Sequence, residues 1–263
     1  MNQPNYNLQL LSEFGIRVTR NQEGTILTVG LSEELSQLLL EAREGYTWPR
    51  GKSPLDSQHE IIQLEEYVSQ KMQTLSISDA QDIVLSVSEW ASIHGKVYPH
   101  VKGLHHEFQN LLHKHIKQFR KPTRVRPIDG IYGLFAFPGI GLSLATKVCR
   151  FCLPSFGAGI DRHSSYFFNS LRDKNGEAVV AFSREWVNNK KSSSRLAIDN
   201  TRDWASNPVE YSLVYLPLLR KISRHLNSQK LHYKCAATGE RRLWRPCDVE
   251  MAADFWWAQN GAR

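Results

Sequence analysis

The sequence predicts a mainly α-helical protein carrying one short β-hairpin near its N-terminus. Three observations predict it. Across most of the chain apolar residues recur every three or four positions, the spacing of one helix face. Strand-like alternation is confined to residues 15–29 and to a brief stretch within 231–244. Glycine, proline and serine or aspartate fall between the periodic segments, where helices start and stop. At 263 residues the chain can bury a substantial core as one large domain or two closely packed lobes, with no cofactor needed for folding.

Taken in order, Gly15-Ile16-Arg17-Val18-Thr19-Arg20 and Thr25-Ile26-Leu27-Thr28-Val29 flank Asn21-Gln22-Glu23-Gly24, which reads as a hairpin with a glycine-containing turn. A helix over 31–42 follows, with Leu31, Leu35, Leu38 and Leu39 on one side. Residues 45–54 combine glycine, proline, aromatics and cations and form a loop. Its Tyr46 and Trp48 either rim a base pocket, with Arg50 or Lys52 meeting phosphate, or anchor an ordinary loop to the core. Helices are predicted over 59–74, on Ile61, Ile62, Leu64 and Val68, and over 78–93, opened by Ser78-Asp79 and ended by Gly95. The second of these carries Asp82, Glu89 and Trp90. Tyr98-Pro99-His100 breaks the pattern before a helix over 104–119. The histidines of that helix, His105, His106, His113 and His115, lack the i, i+4 spacing of a helical metal site. With Lys114, Lys117 and Arg120 they make a solvated basic face. Arg124 and Arg126 then lead into the next segment, where they add electrostatic affinity for phosphate without sequence preference.

That segment is the centre of the chain. A helix over 128–135, with Ile128, Ile131, Leu134 and Phe135 inward, meets Phe137-Pro138-Gly139-Ile140-Gly141 and then a second helix. Leu142, Ala145, Val148, Cys149 and Cys152 make one apolar side of the latter. Glycines one residue apart suit a tight turn, and unpaired amides at the start of the second helix face whatever lies outside it; a phosphate oxygen is the natural occupant. Ordinary packed helices use glycine turns too, so the pattern alone leaves function open. Asp161 stands twenty residues after Gly141, just before an amphipathic segment over 164–171. Further on, a helix is predicted over 177–187, with Val179, Val180, Phe182, Trp186 and Val187 apolar, and a polar basic loop over 188–195. Another helix spans 208–226, with Leu213, Leu216, Leu219 and Ile222 in its core stripe. Short strands follow within 231–244, and a final helix covers 246–259, docked through Val249, Met251, Ala252, Phe255 and Trp256.

The combination of hairpin, helix and spaced aspartate resembles the helix-hairpin-helix DNA glycosylase superfamily. The likeness covers residues 128–171, with a weaker echo at Arg245-Pro246-Cys247-Asp248-Val249-Glu250. It implies a two-lobed helical fold over 1–263, with the helix-hairpin-helix at 128–153 and a catalytic loop at 154–163. It also implies DNA contacts at Gly139, Gly141, Ser143 and Lys147, with Asp161 as catalytic carboxylate. Bifunctional members carry a nucleophilic lysine two residues after the second glycine, where this chain has Ser143. Lys147 lies one turn later, about 40° round the helix. The expectation is therefore a monofunctional enzyme acting on double-stranded DNA as a monomer. It requires no cofactor; the family leaves room for a monovalent cation between hairpin carbonyls and phosphate.

Cleaving an N-glycosidic bond builds oxocarbenium-like charge on the sugar, which a carboxylate stabilises unless it orients the attacking water instead. Asp is equally a preferred N-cap, and Asp161 precedes a helical segment, so a purely structural reading stands beside the catalytic one. The competing class is a non-catalytic helix-hairpin-helix DNA-binding module. Base excision repair and attack on modified foreign (phage) DNA both use the proposed chemistry, and the sequence does not select the base.

A formal charge of +7 and a pI near 9.2 fit a polyanionic partner. The start of the chain lacks the order of a secretory signal, and no apolar run is long enough to cross a bilayer. A soluble cytoplasmic protein with reduced thiols is expected. Of its four cysteines, Cys235 and Cys247 have eleven residues between them, unlike the iron–sulfur spacing of some relatives. Cys149 and Cys152 read as core residues, with a zinc site formed by all four as the alternative.

Overall fold

The computed structural model describes residues 15–22, 24–49, 51–120, 126–135, 137–173, 175–182, 184–187, 195–198 and 206–261. Helices dominate it, with small two-stranded antiparallel sheets. Two compact units divide the chain: one is Thr47–Ile160, and the other combines the segment up to Tyr46 with the segment from Asp161 onward.

The N-terminal hairpin pairs β1 (Arg17–Arg20) with β2 (Ile26–Gly30), as the alternation predicts. Ile16, Val18 and Ile26 turn inward while the threonines face out, so one face is solvated. Helix α1 (Glu33–Glu44) starts where the Ser32 hydroxyl accepts from the Leu35 amide, and buries Leu35, Leu39 and Ala42.

In the unit Thr47–Ile160, α2 (Pro54–Thr74) starts five residues before the expected 59. Ser53 caps it and Pro54 supplies a first-turn residue that has no N–H to satisfy. Helix α3 (Ile77–Trp90) opens with a capping box between Ser76 and Asp79. Residues 98–100, expected to break the helical pattern, lie inside α4 (His94–Lys102). Proline there faces solvent and Gly95, four residues earlier, has open space beside it, while Val97 and Val101 are fully buried and hold the helix in place. Helix α5 (His106–Lys117) runs into a 3-10 turn, Gln118–Arg120, on Leu112, Ile116 and Phe119. Helices α6 (Arg126–Leu134) and α7 (Leu142–Cys152) complete the unit. Its hub is α3, whose Ala80, Ile83, Val84 and Val87 are fully buried among α2, α4, α5 and α7.

Beyond α8 (Arg162–Ser170), the helix expected over 177–187 is not formed. Arg172 bridges to Ala178, and the Asn169 amide side chain both accepts from the Phe182 amide and donates to its carbonyl. Those bonds tie Ala178 and Phe182 down outside any helix, with Val179, Val180 and Phe182 still buried. β3 (Arg184–Val187) then pairs with β4 (Arg195–Ile198), a β-branched and aromatic sequence in the conformation that suits it.

The helix predicted over 208–226 is three pieces: α9 (Ser206–Glu210), a π turn at Tyr211–Tyr215, and α10 (Leu216–Ser228). A wide turn ahead of Pro217 removes the clash a proline ring makes with the carbonyl four residues back. It also rotates the face. Leu213, expected in the core stripe, is 63% exposed, and Tyr211 and Tyr215 are fully buried in its place.

Strands β5 (Tyr233–Lys234) and β6 (Arg241–Arg242) precede α11 (Pro246–Asn260), which packs on α1, α8 and α10. At its start, fully buried Asp248 accepts from Arg43, Arg245 and the Tyr233 hydroxyl. Burial pushes its carboxyl pKa up, but Arg245 and Arg43 outweigh burial and hold it well below the usual range.

Candidate nucleic-acid interface and catalytic carboxylate

The hairpin is present. Ile131, Leu134, Phe137 and Ile140 are buried, so the turn over 137–141 is pinned from beneath while Pro138 and Gly139 stay exposed. Gly139 has φ +82, and a Cβ there would lie 3.0 Å from the Lys96 carbonyl oxygen and 3.3 Å from the His100 ring of α4. Glycine is thus required twice, for left-handed backbone and for close approach. Gly141 differs: at φ −93 it is the extended N-cap of α7 and brings no capping side chain.

Two glycines of α6 hold that helix against its neighbour. A Cβ on Gly130 would meet the Phe119 ring at 2.7 Å, and one on Gly133 would fall 1.9 Å from His115 Nδ1. His115, expected on a solvated basic face, instead packs over Gly133 with its ring edge-on to Phe137 at 6.5 Å. Burial, aided by the Lys114 charge, lowers its pKa. His113 is also engaged, its Nε2 lying 2.8 Å from the Leu75 carbonyl oxygen. Neither placement has a signal in the spacing of the histidines, because both depend on what α6 and the C-terminal end of α2 bring alongside.

On α7, Lys147 Nζ donates to Ser143 Oγ at 3.0 Å, and Lys147 is only 8% exposed. The angular offset expected between these positions is bridged by the length of the lysine side chain. Arg126 opens α6, although its side chain, like all of Arg124, lies outside the described residues. Of the predicted basic loop over 188–195, residues 188–194 also lie outside them, and Arg195 opens β4 instead.

Asp161 is the N-cap of α8. Its Oδ1 accepts from the amides of His163 at 3.0 Å and Ser164 at 3.2 Å, and the Asp161 amide donates to Ser164 Oγ at 3.0 Å. The capping box fixes the carboxylate, which is half-buried. Around it lie His163, whose Nδ1 is 3.3 Å from Asp254 Oδ1, and fully buried Tyr215. The Tyr215 phenol pKa is raised well above normal, chiefly by burial and then by Glu250, with smaller contributions from Tyr211 and Asp161.

The structure places the two aromatic candidates of the 45–54 loop in different units. Tyr46 is 3% exposed, with Phe255 at 6.4 Å and the Arg43 guanidinium 5.9 Å from its ring. Trp48, in the other unit, is half-buried; its amide donates to Ser57 Oγ at 2.9 Å and its indole N–H donates to the Trp90 carbonyl at 2.8 Å.

Cys149, Cys235 and Cys247 are buried, Cys152 is half-buried, and all four are free thiols. Among the described residues no group of three or more His, Cys, Asp or Glu side chains is placed to hold a metal ion, and no helix is long and apolar enough to cross a membrane. Comparisons with protein-family models, with curated proteins and with solved structures find no match for this chain.

Proposed function

We propose that this protein is a monofunctional DNA glycosylase of the helix-hairpin-helix type, with a two-lobed helical fold and Asp161 as its catalytic carboxylate. The observation that carries the reading is the fixed carboxylate of Asp161, held by a capping box twenty residues after a glycine hairpin whose second helix has no side-chain cap. The hairpin amides hold a backbone phosphate of double-stranded DNA, aided by the basic run at Arg124 and Arg126. The target nucleotide leaves the stack. Its C1′–N bond breaks with the electron pair leaving on the base, Asp161 stabilises the cationic sugar or orients water, and water adds to C1′ as a hydroxyl while its one released proton neutralises the departed base. The product is an abasic site in an uncut strand. Neither a metal nor an organic cofactor takes part, and a monovalent cation at the hairpin is compatible. Excision repair and attack on modified foreign DNA are both roles for this reaction.

The test is incubation with duplexes carrying a panel of modified bases, followed by alkali to reveal abasic sites. Alkali-dependent breaks that vanish in Asp161→Asn support the reading; breaks that persist undiminished refute it. The second reading, a DNA-binding module without catalysis, is favoured by the cap bonds of Asp161, which account for its presence without any chemistry. It predicts DNA binding with no base release from any duplex.

A further inference from the structure

The exposed tip of the hairpin rests against α4, within the unit Thr47–Ile160. A Cβ on Gly139 would lie 3.0 Å from the Lys96 carbonyl oxygen and 3.3 Å from Cδ2 of the His100 ring, so turn and helix touch directly. Gly95, Lys96, Pro99, His100 and Gly103 recur at the three- and four-residue spacing of one helix face, and all are exposed. Val97 and Val101 hold the far side in the core.

That face carries only two polar side chains, and both are basic. Neither Lys96 nor His100 makes an ion pair or a side-chain hydrogen bond among the described residues. No acid lies close to them along the chain, since residues 90–106 contain neither Asp nor Glu. The flanking Glu89 and Glu107 pair with neither. Residues 50, 121–128 and 136, whose side chains lie outside the described ones, include Arg50, Lys121, Arg124 and Arg126 and no acid, so they bring only positive charge to this unit.

A DNA strand carries a negative charge about every 3.4 Å, so a strand gripped at one phosphate presents further phosphates to whatever flanks the grip. Gly95 and Gly103 bring no side chain that would keep the strand off this face. The Lys96 ammonium supplies charge, and the His100 imidazole supplies a ring N–H to a phosphate oxygen.

We propose that Lys96 and His100 form a second phosphate contact, holding the DNA backbone beside the phosphate bound at the hairpin. The inference rests on the hairpin binding DNA, which the catalytic and non-catalytic readings share. The contact positions the strand and reads no sequence.

The test is an anisotropy titration of the full chain with a short fluorescent unmodified duplex, between about 50 and 200 mM salt. Lys96→Gln is expected to weaken binding about five- to tenfold at low salt and to make the dependence of log K on log salt shallower by about 1. His100→Phe keeps a ring beside Gly139 without its N–H groups and is expected to weaken binding about threefold at an unchanged melting temperature. Lys102→Gln removes the same charge from another side of α4, so its affinity and slope should match the parent. Unchanged affinity in Lys96→Gln or His100→Phe, or an equal loss in Lys102→Gln, overturns this inference; a loss in Gly141→Ser then leaves the hairpin reading standing. A parent that binds no duplex overturns the hairpin reading and this inference with it.

Discussion

Asp161 and Ser164 hold one another at the start of α8: the Ser164 amide donates to Asp161 Oδ1 at 3.2 Å while the Asp161 amide donates to Ser164 Oγ at 3.0 Å. Asparagine caps helices about as well as aspartate, whereas alanine does not. Asp161→Asn is therefore expected to melt within a few tenths of a kcal/mol of the parent, and Asp161→Ala to lose about 1 kcal/mol. Thermal denaturation of the pair separates capping from charge before any activity is measured.

The two hairpin glycines are expected to respond differently. Gly139→Ala forces a side chain into left-handed backbone against the Lys96 carbonyl, costing about 1–2 kcal/mol and disturbing the turn. Gly141→Ser keeps an ordinary backbone angle and supplies a capping oxygen, so stability should hold or rise. That oxygen occupies amides the phosphate needs, and DNA affinity should fall. Melting curves and duplex-binding titrations on both variants check the contrast.

Asp248 links pH to the stability of its unit. Its folded pKa is depressed, so its contribution is present above the unfolded carboxyl value of about 3.9 and is lost as pH falls from there toward the folded value. Asp248→Asn leaves the buried Arg43 without its counter-charge, at a cost of about 3–5 kcal/mol. The same substitution should flatten the acid limb of the stability curve. Denaturant melts between neutral and acid pH would show both.

Lys147 donates to the hydroxyl of Ser143 rather than replacing it, and the monofunctional reading expects no imine with the abasic sugar. Borohydride added during turnover should trap no protein–DNA adduct. An adduct that disappears in Lys147→Met would assign lyase chemistry to this amine and displace that part of the account.

Where local chemistry decides, the sequence is a good guide. Alternation and Gly24 mark the N-terminal hairpin, and Arg245-Pro246 marks the start of α11. Phe137 to Gly141 reads directly as a turn because glycine conformations and proline are local properties. Structure imposed from outside the segment is invisible: Val97 and Val101 keep α4 helical through Pro99, and Asn169 pulls Phe182 out of a helix. The π turn before Pro217 shifts the buried face from Leu213 to Tyr211 and Tyr215, which helical periodicity cannot show because it assumes a constant turn. Asp161 reads from the sequence as cap or catalyst, and its place at the start of α8 bears out the cap.

The central claim is that the charge of Asp161, not its capping oxygen, drives removal of a base from DNA. Measuring single-turnover release of a modified base by the parent and by Asp161→Asn, at matched stability and saturating protein, tests it most directly. The account predicts release by the parent and a loss of at least about a hundredfold in the variant, with DNA affinity retained. Equal rates in the two proteins would contradict it.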